Sequence, residues 1–142
     1  MRNNEDEEIV EYLIDDLHTV NLLICILNQL PKGCILRVGD YVDSAFEDGW
    51  LLKLKDYMSR DGLFYLFELT SECICYLEKE LLTSPELIHY FCHYCINLED
   101  QKLLRVLDET IFVIDPRLNI PISLVEKCEE HQIYVYREIV HD

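Results

Sequence analysis

Apolar residues recur at helical spacing along much of the chain. Ile9, Leu13, Leu17 and Val20 lie three or four positions apart, with Val10 and Ile14 widening the stripe. They predict an amphipathic helix over residues 8–19. The acidic residues 5–8 sit where negative charge favours a helix start, and residues 1–7 are expected to fray. Residues 21–30 are too apolar for a surface helix and read as its continuation or as a second, buried element. Pro31-Lys32-Gly33 breaks the pattern. A helix is expected over 34–46, although the β-branched Val38 and Val42 are weak helix formers. A shorter one over 50–58 would carry Trp50, Leu51, Leu54 and Met58 on one face, and residues 59–62 read as a turn.

Residues 63–82 form the most apolar long segment. Leu66, Leu69, Cys73, Leu77 and Leu81 keep near-helical spacing, and Phe64, Phe67, Ile74 and Cys75 spread apolar surface around the rest. A helix apolar nearly all round is a central one; a strand fits only residues 63–69. Thr83 and Glu86 have capping-box spacing, with Pro85 in the first turn, so a helix over 85–96 follows. Another is expected over 97–112 on Leu103, Leu107 and Ile111. Residues 115–121 make a rigid connection, Ser123 with Glu126 marks a last short helix, and 133–140 is ambiguous between helix and strand. With no βαβ rhythm and no internal repeat, the expected fold class is all-α: a single-domain helical bundle over residues 1–142.

Charge narrows the partners. The chain carries 28 Asp+Glu against 12 Lys+Arg, a formal net charge of −16, while half its 142 residues are hydrophobic. Such a surface repels phosphate backbones and anionic headgroups, so no nucleic-acid partner is expected. The seven cysteines are an odd number, and the polar, acidic residues 1–8 do not read as a secretory signal; a reducing, cytoplasmic setting with thiols used as small core residues is the simpler expectation. No apolar run reaches the length of a membrane span, and no integral membrane anchor is expected.

Few constellations point to chemistry. Cys92-His93-Tyr94-Cys95, with His89 one turn earlier, offers thiolate and imidazole ligands that suit zinc. A second half-site is missing, however, and the segment reads as a helix rather than a knuckle, so core thiols are the preferred reading. Gly-x-Ser-x-Gly, His-Glu-x-x-His and phosphate-cradling glycine loops are all absent, and the chain has only four glycines. No enzyme activity, resident metal or cofactor is expected.

One motif rises above this background. Ile35-Leu36-Arg37-Val38-Gly39-Asp40, followed by Ala45-Phe46, resembles the third homology motif of the Bcl-2 family. Arg60-Asp61-Gly62 resembles the opening of that family's first homology motif, and it precedes the apolar segment 63–82 as in the family's central hairpin. The chain departs from the family where Tyr65 replaces a tryptophan and Phe67 stands in place of the groove arginine. No C-terminal membrane tail is expected, in which the chain resembles the compact soluble viral members.

The resemblance implies a Bcl-2-like bundle with an apolar surface groove that seats an amphipathic partner helix. Val38, Tyr41, Val42 and Phe46 would form one wall, Leu51, Leu54, Lys55 and Met58 the other, and Tyr65 and Leu66 the floor. Ile35, Gly39, Asp40, Arg60, Asp61 and Gly62 carry the motifs, with Gly39 allowing close approach of another backbone. The implied function is inhibition of apoptosis by sequestering pro-apoptotic BH3-motif proteins. The setting would be cytoplasmic, in a host cell if the chain is viral, with recruitment to mitochondria through partners. Homodimerisation through the groove is a further expectation. The alternatives are a helical adaptor or death-fold-like homodimeric module, and a small zinc-binding domain using Cys92 and Cys95.

Overall fold

The computed structural model describes residues 4–137, with side chains from Asp16 onward. It is a mixed α/β fold, which overturns the all-α expectation. Four α-helices occur among the described residues: α1 (Asn4–Leu27), α2 (Asp43–Glu47), α3 (Ser71–Thr83) and α4 (Ile122–Glu130). Seven strands join them: β1 (Ile35–Gly39), β2 (Met58–Asp61), β3 (Phe64–Glu68), β4 (Tyr94–Leu98), β5 (Gln101–Leu107), β6 (Ile111–Ile114) and β7 (Tyr134–Arg137). They form one sheet in the order β2-β3-β1-β4-β5-β6-β7, antiparallel except for the β6–β7 pair.

Three expected helices are wholly or partly strands for the same reason. In each, one face of a period-2 pattern supplies the core. Leu36 and Val38 are buried on β1 while Arg37 between them is half-exposed. Tyr65 and Phe67 are buried on β3, whereas Phe64 and Glu68 are exposed. Leu36 pairs with Phe67 and Ile96, and Val38 with Tyr65 and Tyr94, so β-branched and aromatic residues stack across the sheet. The expected helix 97–112 is instead the hairpin of β5 and β6, its helical spacing of Leu103, Leu107 and Ile111 notwithstanding.

The apolar segment 63–82 divides at Thr70. Its first part is β3; its second is α3, whose first turn is capped by the Thr70 hydroxyl accepting from the Cys73 amide at 3.1 Å. Thr83, expected to cap the following helix, instead donates to the Lys79 carbonyl at the end of α3. After it come a 3-10 helix, Pro85–Tyr90, and β4. The expected helix 50–58 is a 3-10 helix, Leu52–Tyr57, running into β2. The longest helix, α1, extends through the apolar residues 21–27, so continuation of the first helix was the right alternative there. Residues 1–3 of the expected frayed start, and 138–142, lie outside the described residues.

The helices pack on one face of the sheet. Val20, Leu22, Leu23, Ile26 and Leu27 of α1, Cys73, Leu77 and Leu81 of α3, and Cys128 of α4 join the inward strand residues in a contiguous buried cluster. Full burial of a large apolar side chain contributes about 1.5–3 kcal/mol. The opposite face of the sheet carries Ile35, Arg37, Leu66, Cys95, Arg105 and Val113, and no described helix residue lines the cleft on it.

Candidate functional site

The sheet face opposite the helices concentrates cations that the sequence scatters. Arg37 on β1 and Arg105 on β5 are the direct cross-strand neighbours of Cys95 on β4. The three side chains therefore rise from one face in a single row, with the arginines two strand spacings, about 9.5 Å, apart. Lys102 enters from the start of β5, beyond an irregularity in the β4–β5 register. With Phe64, His93 and Leu107 these residues line an open cleft of about 310 Å³.

No carboxylate is among the described residues that line the cleft. The Arg37 guanidinium lies 4.0 Å from the centre of the Phe64 ring. Its Nε is buried with no hydrogen-bond partner among the described residues. Neither Arg37 nor Arg105 forms an ion pair with a described carboxylate. Burial pushes the Cys95 thiol up, against the opposing pull of Lys102, Arg37 and Arg105. His93 is turned to Asp108: its Nδ1 accepts from the Asp108 amide at 3.1 Å, and its Nε2 lies 3.4 Å from the carboxylate.

A second polar cluster ties α1 to the far end of the sheet. His89 Nε2 lies 2.7 Å from Asp16 Oδ1 and its Nδ1 3.0 Å from Glu109 Oε2. Burial lowers the affinity of this ring for its proton, but the hydrogen bonds and charges of Glu109 and Asp16 outweigh it and raise the pKa. Glu109 reaches the ring from a left-handed turn position, φ 64°.

The expected partner groove is absent. Val38, Val42, Phe46, Leu51, Leu54 and Tyr65 are core residues, apolar because they are enclosed rather than because they await a helix. Tyr41 is 61% exposed. Lys55 lies over the Phe46 ring at 5.1 Å. Met58 pairs with Phe67 while Leu66 pairs with Arg37, so these two fall on opposite faces of the sheet. Ile35 and Gly39 belong to β1, and Asp40 opens a 3-10 turn. A Cβ at Gly39 would meet nothing within 4 Å, so no backbone approaches closely there. Arg60 and Asp61 end β2, and Gly62 begins its two-residue turn at φ 62°, where a tight hairpin requires glycine.

The zinc alternative fails with the helix that carried it. Cys92 lies in a turn at φ 54°, Cys95 on the open sheet face, His89 between Asp16 and Glu109, and His93 beside Asp108. Among the described residues no group of three or more His, Cys, Asp or Glu is placed to hold a metal. No described helix is long and apolar enough to cross a membrane.

No family model, curated protein or solved structure matches the chain. The Bcl-2 family resemblance is thus a short-motif coincidence on a different fold, and the apoptotic function implied by it falls with the bundle. The same sheet overturns the helical-adaptor and death-fold alternatives. Sequence reasoning missed the row of Arg37, Cys95 and Arg105. Its one local signal was the alternation of Leu36, Arg37 and Val38, which places Arg37 opposite the core.

Proposed function

We propose that the protein is a non-enzymatic recognition module that seats a short acidic segment of a partner protein on the open face of its sheet. The carrying observation is the buried Nε of Arg37, without a hydrogen-bond partner among the described residues, two strands from a second arginine, Arg105, that also forms no ion pair with a described carboxylate. A buried donor without an acceptor is rare in native proteins, and a carboxylate in the cleft supplies both the acceptor and the missing charge. Phe64 and Leu66 border the charged row and offer apolar contact to the same segment.

Electrostatics selects a short ligand. A long polyanion feels the formal charge of −16, whereas a group held within a Debye length, about 8 Å, feels mainly the local cations. A second copy docked by this face would set arginines against arginines. A non-enzymatic role fits the cleft because both nitrogens of its one described histidine, His93, face Asp108 rather than Cys95.

The test is amide-shift mapping during titration with a blocked pentapeptide that alternates glutamate and leucine. Shifts should cluster at 35–39, 94–98 and 101–107, and Arg105→Glu should weaken binding about tenfold or more without moving the melting temperature. Shifts confined elsewhere, undiminished binding by both Arg105→Glu and Arg37→Glu, or tighter binding of a single-stranded oligonucleotide would refute the reading.

A further inference from the structure

A separate cavity lies at the junction of the turn after β1, the segment after α2 and the Pro85–Tyr90 helix. It measures about 560 Å³ and is lined by Tyr41, Trp50, Tyr90, Glu86 and Glu109, together with His89 and its neighbours. We infer that this aromatic and acidic cavity binds an alkylammonium head group, that is, a cation of the trimethylammonium type.

Three observations converge. First, three aromatic side chains meet here from distant parts of the chain, and two stay open to solvent: Tyr41 is 61% and Trp50 42% exposed. Exposed large aromatics gathered around one concavity are unusual for a surface without a ligand, and rings in such an arrangement attract weakly hydrated cations. Second, the charge lining the cavity is acidic. Glu86 and Glu109 line it, Asp48 accepts a hydrogen bond from the Tyr90 hydroxyl at 3.2 Å, and no lysine or arginine is among the lining residues. The imidazole of His89 is the basic group present, and it already lies between Asp16 and Glu109. Third, the long-range field has the same sign as the site, since the formal net charge of −16 draws cations toward the surface.

The class of cation follows from the lining. A bare metal ion demands several oxygen or nitrogen ligands at fixed geometry, and no such group occurs among the described residues. A small ammonium loses hydration that the rings cannot replace. An alkylated ammonium is weakly hydrated, covers apolar ring surface, and needs a carboxylate nearby rather than in contact. Free choline-like molecules and a methylated lysine side chain share this head group.

Trp50 is the chain's one tryptophan, so its fluorescence reports the cavity directly in the full-length protein. Titration at constant ionic strength with choline, with a trimethyl-lysine peptide and with 3,3-dimethylbutanol, the uncharged isostere of choline, separates the sources and the physics. The expected result is a saturable change with at least one of the two cations, and binding of the neutral isostere at least about fivefold weaker. Preference between the cations identifies a free small molecule or a modified peptide as the source. Tyr41→Ala, at an exposed position, should weaken the cation several-fold, and Glu86→Gln should weaken it while leaving the isostere unchanged. An equal response to cation and isostere, or no saturable response to either cation, overturns the inference. Because this cavity shares no lining residue with the arginine cleft, either reading can fail without the other.

Discussion

His89 Nε2 and Asp16 Oδ1 lie 2.7 Å apart although 73 positions separate them in the chain. Glu109 holds the other ring nitrogen at 3.0 Å, so one imidazole joins α1, the Pro85–Tyr90 helix and the β5–β6 turn. Asp16 is only 4% exposed; its charge in that setting needs a cationic partner.

This arrangement dictates a direction of pH dependence. The folded pKa of His89 is raised above its ordinary value near 6.5. Its contribution is therefore fully present below about pH 6.5 and is lost as the pH rises through the raised folded value. The described titratable groups facing the ring are Asp16 from α1 and Glu109 from the β5–β6 turn. His89→Gln should cost about 2 kcal/mol at pH 6 and distinctly less at pH 8.5. Urea unfolding of both proteins at the two pH values checks this, and an equal cost at both contradicts it.

The division of β3 between core and open face predicts a contrast between neighbours. Phe67 is fully buried, whereas Phe64 is 40% exposed. Phe67→Ala should destabilise the protein by about 3–5 kcal/mol, and Phe64→Ala by about 1 kcal/mol or less. Thermal and urea denaturation measure both. Comparable losses would argue against the strand register that puts Phe67 opposite Leu36.

Tyr94 offers the opposite sign. Its side chain is enclosed in the core, and its hydroxyl has no hydrogen-bond partner among the described residues. Burial, with the nearby charge of Glu109, pushes the phenol well above its ordinary range and keeps it neutral. Removing an unsatisfied buried hydroxyl while keeping the ring should raise stability by about 1 kcal/mol in Tyr94→Phe. A clear loss in urea unfolding would mean that the hydroxyl is satisfied after all.

What could be read from the sequence was burial, more than shape. Val38, Val42, Phe46, Leu51, Leu54 and Tyr65 were singled out as apolar positions and are buried; the error lay in assigning them to a groove. The short strands explain it. Over four or five residues, spacings of 2 and 3.6 share positions i and i+4, as Leu103, Leu107 and Ile111 do, and propensity alone cannot separate them. Val38 carried the β signal that local reading discounted, whereas Val42 ends the 3-10 turn that leads into α2. The α4 helix was expected from the spacing of Ser123 and Glu126, yet both lie inside it, and Pro121 stands at its N-cap with no side-chain hydrogen bond. The cationic row was not legible, because Arg37, Cys95 and Arg105 come together only through the pairing of β1, β4 and β5.

The strand order also sets a schedule for assembly. Strands β4, β5 and β6 form a meander of neighbours in sequence, closed by short turns. By contrast, β1 must find β4 with Ile35 opposite Asn97, a far more distant pairing whose loop-closure entropy is lost before any contact compensates it. The meander is thus the natural nucleus, and β1 with its attached hairpin the late arrival. Arg37 travels with β1 and Tyr41 follows directly after it, so neither binding surface exists on the nascent meander. A chain halted at that stage would be blind to both ligands, and recognition itself becomes a reporter of completed folding.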